Sequence, residues 1–89
     1  MKKKFEFEFD DYSSENRIKF DFDQEIDEEM KIIIENKIPV LYANKQAYLA
    51  LAKAFIKLAF GEYSNGFHFH LRQNFDADEQ EAIRCHLID

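Results

Sequence analysis

Asn44-Lys45-Gln46-Ala47-Tyr48-Leu49-Ala50-Leu51-Ala52-Lys53-Ala54-Phe55-Ile56-Lys57-Leu58-Ala59-Phe60 is the stretch on which the fold turns. At 3.6 residues per turn it predicts an amphipathic helix over 44–60, with Tyr48, Leu51, Ala52, Phe55, Ile56, Leu58 and Ala59 on a buried face. Gln46, Ala50, Lys53 and Lys57 are then expected on the opposite face. Asn44 suits the N-cap, because its short side chain can accept from first-turn amides. Gly61 supplies the stop, and the two lysines favour the C-terminal half of the helix dipole.

Downstream, Gly66-Phe67-His68-Phe69-His70-Leu71-Arg72 switches to period two. Phe67, Phe69 and Leu71 point one way and His68, His70 and Arg72 the other, which predicts a half-buried strand. Ile83, Cys85 and Leu87 alternate with Arg84, His86 and Ile88 in the same manner. The polar run 73–80 joins these two strands, and their apolar faces are expected to pack on the helix.

Upstream, Phe5, Phe7 and Phe9 alternate with acids, and Ile18, Phe20 and Phe22 repeat the pattern. The polar run 11–16 between them predicts an antiparallel hairpin. Pairing Phe7 with Phe20 sets Lys4 opposite Asp23, Glu8 opposite Lys19 and Asp10 opposite Arg17, and only Glu6 against Asp21 objects. Residues 24–43 carry two signals. Ile26, Met30, Ile33 and Ile34 have helical spacing, whereas Met30-Lys31-Ile32-Ile33-Ile34-Glu35 is rich in β-branched residues. Asn36-Lys37 reads as a tight turn and Ile38-Pro39-Val40-Leu41-Tyr42 as extended, so a second hairpin is expected. The whole is read as α+β, two layers, with an antiparallel sheet of about six strands packed on one long helix in a single domain over residues 1–89.

Size and charge narrow the functions. A chain of 89 residues buries about 60–65% of its unfolded surface, and ten Phe and four Tyr supply bulky core material. Its net charge is −6, and six of the nine residues from 21 to 29 are acidic. Such a field repels phosphate backbones, so no nucleic-acid partner is expected and a basic protein partner is favoured. The carboxylates that would meet it are Asp21, Asp23, Glu25, Asp27, Glu28 and Glu29. Cys85 is the sole cysteine, consistent with a reducing compartment. After Met1-Lys2-Lys3-Lys4 comes Phe-acid alternation rather than an apolar signal core, and no stretch is long and apolar enough to span a bilayer. A soluble, cytoplasmic chain is expected.

Catalytic signatures are absent. Cys85 and His86 are strand neighbours, so the thiol turns inward and the imidazole outward, which argues against a nucleophile pair. Ser13-Ser14 stands in a turn with no motif around it. Asp21-x-Asp23-x-Glu25 and Asp76-x-Asp78-x-Gln80 begin like calcium loops but carry Ile26 and Glu81 where glycine is needed. No enzyme activity and no cofactor are expected. His68, His70 and His86 share a side with Arg72 and Arg84 if the last two strands pair, a face suited to protein recognition. Three imidazoles also form a zinc set with an open fourth position. No carboxylate is legible behind them and the arginines oppose a cation, so a metal centre is only the alternative.

The run 43–59 followed by Gly66-Phe67-His68-Phe69-His70-Leu71 resembles the immunity protein 32 family of bacterial polymorphic toxin systems. The shared features are a small residue and Asn before a Leu-rich helix, a Gly-x-His-x-His-Leu strand and a short final strand. The resemblance implies a cytoplasmic binding protein that neutralises a cognate toxin, and the net acidity suits a basic one. Three readings follow: an immunity-like inhibitor, a metal-binding protein on the histidines, and a homodimer paired through a sheet edge or face.

Overall fold

A computed structural model describes residues 1–88. It holds one helix and four strands: β1 (Met30–Glu35), β2 (Ile38–Ala43), α1 (Lys45–Phe60), β3 (His68–Arg72) and β4 (Glu81–His86). The strands form two separate antiparallel ribbons, β1 with β2 and β3 with β4, rather than the expected sheet of about six.

The middle of the chain follows its β-branched signal. Met30 pairs with Ala43 and Glu35 with Ile38, and Asn36 and Lys37 turn the chain with φ of 51° and 66°. Two consecutive positive φ values match the twist of the flanking strands, as two-residue hairpins require. Pro39 sits opposite Ile34 in β2, whose other edge has no strand partner among the described residues, so its missing N–H costs no ladder bond.

The expected N-terminal hairpin is the main correction. Residues 1–29 carry no strand, although a 3-10 turn at Ser13–Glu15 reverses the chain where the polar run predicted a turn. Side-chain parity survives: Phe5, Phe7 and Phe9 stack in sequence at 6.1 and 5.7 Å, and Phe20 stacks on Phe22 at 5.9 Å. No ladder forms between these segments, and two carbonyls of the second are bonded instead by side chains from elsewhere. Tyr63 donates its hydroxyl to the carbonyl of Arg17 at 2.7 Å, and Lys57 donates to the carbonyl of Lys19 at 2.8 Å. The charges pair locally as Lys4–Glu6 and Arg17–Glu15, not across strands.

The second correction concerns the rotation of α1. Its cap is as expected, with Asn44 Oδ1 accepting from the amide of Ala47 at 2.9 Å. Its buried stripe, however, is Ala47, Ala50, Leu51, Ala54 and Lys57. Tyr48, Ala52, Phe55 and Ala59, expected inside, lie exposed, and Ala50 and Lys57, expected outside, are buried. Alanines let the surrounding segments approach the helix closely. Lys57 is tolerated inside because its ammonium has two partners, donating to the Lys19 carbonyl and pairing with Asp21 at 3.0 Å. Gly61 closes the helix for steric reasons: a Cβ there would meet the Tyr63 ring at 2.6 Å and the Lys57 carbonyl at 2.7 Å.

The core gathers Met30, Ala47, Leu51, Phe69 and Leu71, flanked by Ile18, Phe20, Leu41 and Phe75. Phe20 meets Phe69 edge-on at 5.8 Å, which ties the N-terminal segment to β3. The two ribbons are joined by amide side chains. Gln73 and Asn74, just after β3, hydrogen-bond to the backbone of Ile32 and Met30 in β1. Among the described residues no helix is long and apolar enough to cross a membrane.

Candidate functional site

Two surfaces stand out. The first is the outer face of the β3–β4 ribbon. His68 lies directly opposite His86 and His70 opposite Arg84, so strand parity places all four side chains on the side away from the core. The His68 and His86 rings stack at 4.6 Å between centroids, and His68 meets His70 edge-on at 5.2 Å. Cys85 opposes Phe69 on the inner side and packs against the core, and burial raises its thiol pKa. Thiol and imidazole therefore leave opposite faces, as parity predicted.

Glu81 belongs to this face, and sequence reasoning missed it. By simple alternation an odd-numbered residue of β4 points away from Arg84 and His86. The register shifts between Leu71 and Arg72: Leu71 pairs with Ile83, yet Arg72 pairs with Glu81. The extra residue, Ala82, makes a bulge, which inverts the parity of everything before it. Glu81 Oε1 then accepts from His70 Nδ1 at 2.9 Å and from Arg84 Nε at 2.9 Å, and Oε2 accepts from Arg84 Nη2 at 3.1 Å. These bonds, Arg84's first and His70's second, lower the Glu81 carboxyl from 4.5 to about 2. The one available cue was the spacing of Glu81 and Arg84, opposite charges three residues apart in β4.

Arg72 departs from the group. Its guanidinium donates to the carbonyl of Glu79 at 3.0 Å and so braces the connecting loop. As oriented, no three histidine, cysteine or carboxylate groups among the described residues converge in a set ready to hold a metal ion.

The second surface is on α1. Tyr48, Leu49, Ala52, Phe55, Ala59 and Phe60 are exposed, and half-buried Ile56 lies between them. At about 100° per residue these fall on one continuous arc, interrupted only by Lys45. Tyr48 retains 49% of its surface, Phe55 47% and Phe60 78%.

The acidic residues named from sequence have separate duties. Asp21 pairs with Lys57. Asp23 Oδ1 accepts from the amide of Glu25 at 2.8 Å, while Glu28 accepts from the amide of Asp23. Asp27 and Glu29 are tied to the helix cap: Asn44 Nδ2 donates to the Asp27 carbonyl at 2.8 Å, and the Glu29 amide donates to Asn44 Oδ1 at 3.2 Å. Asp21, Asp23 and Glu28 come together with Leu49 and Lys53 around a depression of about 220 Å³, at the edge of the apolar arc. No family model, curated protein or solved structure matches the chain.

Proposed function

We propose that this chain is a cytoplasmic, non-enzymatic protein-binding module of the immunity kind, which neutralises a basic toxin domain by covering it. The apolar arc of α1 carries this reading. A monomer that leaves Tyr48, Leu49, Phe55 and Phe60 in water on one face has a surface of the sort that partners cover. Aromatic side chains of this type anchor interfaces, because they bury large area with few rotamers to lose. Asp21, Asp23 and Glu28 on the Leu49 flank would attract lysine and arginine of a partner, raising the association rate and selecting its sign. The resemblance of 43–59 and 66–71 to the immunity protein 32 family supports the same reading, since occlusion needs no catalytic group.

The test is co-expression with the basic domain encoded in the adjacent reading frame, read as growth. Wild type is expected to rescue, and the Tyr48→Glu/Phe55→Glu double variant to fail while keeping a native circular dichroism spectrum. Unchanged rescue by that variant would overturn the surface. An unrelated metabolic enzyme in the adjacent frame would overturn the immunity reading. A wild-type dimer that the same substitutions dissociate would assign the arc to self-association instead.

A further inference from the structure

The β1–β2 hairpin carries an apolar face of its own, on residues that the arc of α1 does not use. We infer that this face is a homodimer interface, in which the hairpin of one chain packs through Ile33, Val40, Ile38 and Tyr42 on the same face of a second copy across a two-fold axis.

The register defines the face. Met30, Leu41 and Ala43 share the side that joins the core. Alternate residues leave opposite sides of a strand, so Lys31 beside Tyr42, Ile33 beside Val40 and Glu35 beside Ile38 make up the other. β-Branched residues are what a strand buries when it can. Here Ile33 retains 46% of its surface and Ile38 61%, and Tyr42 is exposed next to them.

The chain as a whole leaves more in water than its mass warrants. Its accessible surface is 7194 Å², whereas a folded monomer of 10.7 kDa exposes about 5,500 Å². Its radius of gyration is 14.0 Å, against about 12 Å for a compact domain of 89 residues. The surplus of about 1,700 Å² matches two partner faces of standard size, at about 800 Å² each. The arc of α1 is one such face, and the hairpin is the other.

Charge chooses the occupant. Residues 30–43 carry Lys31, Lys37 and Glu35, so the hairpin has a net charge of +1 in a chain of −6. A basic partner gains nothing there, and two acidic chains can meet at this face without bringing their carboxylate-rich stretches together. Two-fold packing adds complementarity. An axis between the two layers, perpendicular to the strands and passing over Ile33 and Val40, runs each strand antiparallel to its twin. Ile33 then lies on Ile33, Val40 on Val40 and Ile38 on Tyr42. Lys31 of each chain meets Glu35 of the other, so the opposite-charge pair is made twice. The Tyr42 hydroxyl donates to Glu35 Oε1 at 2.6 Å and so holds that carboxylate on the face.

Sedimentation equilibrium of the full chain is expected to give twice the 10.7 kDa of one chain at micromolar concentration and above. Ile33→Lys sets two like charges together at the centre and is expected to weaken the dimer about 30-fold or more. Glu35→Lys should weaken it too, by opposing Lys31 of the second chain, and adding Lys31→Glu should restore it. All three side chains are exposed, and each variant is checked as folded by circular dichroism. The charge exchange reads the contact even where Ile33→Lys fails to fold. A wild type that stays monomeric to millimolar concentration would overturn the interface, as would a dimer that folded Ile33→Lys leaves intact. A dimer dissociated by Tyr48→Glu/Phe55→Glu would move self-association to α1 and overturn it equally. A charge exchange that fails to restore the dimer would overturn the antiparallel packing.

Discussion

Gln73 holds Ile32 by both of its peptide groups. Its Oε1 accepts from the Ile32 amide at 2.9 Å and its Nε2 donates to the Ile32 carbonyl at 3.0 Å, so one side-chain amide stands where a neighbouring strand would be. This pair, with Asn74 Oδ1 accepting from Met30, closes the inner edge of β1 and docks one ribbon on the other. Gln73→Leu leaves both Ile32 groups unpaired in a half-buried place. We expect a loss of about 1–3 kcal/mol, each kcal/mol appearing as about 4–8 °C in melting temperature at this size. Hydrogen exchange checks the mechanism: the Ile32 amide should exchange much faster in the variant, whereas amides of α1 should follow only the global loss.

Lys57 gives the second expectation. Its ammonium is buried against the Lys19 carbonyl and Asp21, so Lys57→Ala strips two acceptors of their donor and opens a gap beside Phe7. A loss of about 1–3 kcal/mol is expected. Asp21→Asn should cost less, because Asp21 is partly exposed and the Lys19 carbonyl keeps its partner. A denaturant titration ranks the two, and the reverse order would mean that the ion pair, not the carbonyl, holds the N-terminal segment.

The helix cap should be unusually sensitive. Asn44 caps Ala47 and also binds the Glu29 amide and the Asp27 carbonyl, so one side chain starts α1 and fixes the acidic connection before β1. Asn44→Ala is expected to cost about 1–2 kcal/mol, near the upper end for a cap. Asn44→Asp keeps the accepting oxygen and loses only the donation to Asp27, so it should recover most of that. Melting temperatures of the three proteins decide it.

Glu81 sets a pH window. Its carboxyl titrates near 2 in the folded chain and near 4.5 when unfolded, so the unfolded chain binds the proton first as pH falls. Its contribution is complete above about pH 4.5 and is lost between there and about pH 2. Subtracting the stability curve of Glu81→Gln from that of the wild type should leave a slope confined to this interval. A flat difference would show that Arg84 and His70 do not hold the carboxylate in solution.

Much of the local structure was legible. Asn36-Lys37 between two β-branched runs, Asn44 before the helix and the Phe-His alternation each name their element through backbone chemistry that acts within a few residues. The N-terminal Phe alternation was legible as a face but not as a ladder. Parity depends on the extended chain alone, whereas pairing depends on partners distant in sequence, and here Lys57 and Tyr63 bond the carbonyls of Lys19 and Arg17. The candidate histidine face was legible for the same reason as the strand that bears it. Its carboxylate was not, because a bulge is a mismatch between two strands and neither strand shows it alone.

The sequence by itself determined one capped helix, two hairpins and three histidines on one side of a strand pair, since propensity, capping and alternation are short-range effects. Only the tertiary structure decided which way the helix faces. Periodicity ranks arcs by hydrophobicity and would bury Tyr48 and Phe55. Packing instead seats the alanine stripe where segments crowd closest and satisfies Lys57 within it. The largest apolar side chains are thereby left in water, and a surface for a partner appears where a core was expected.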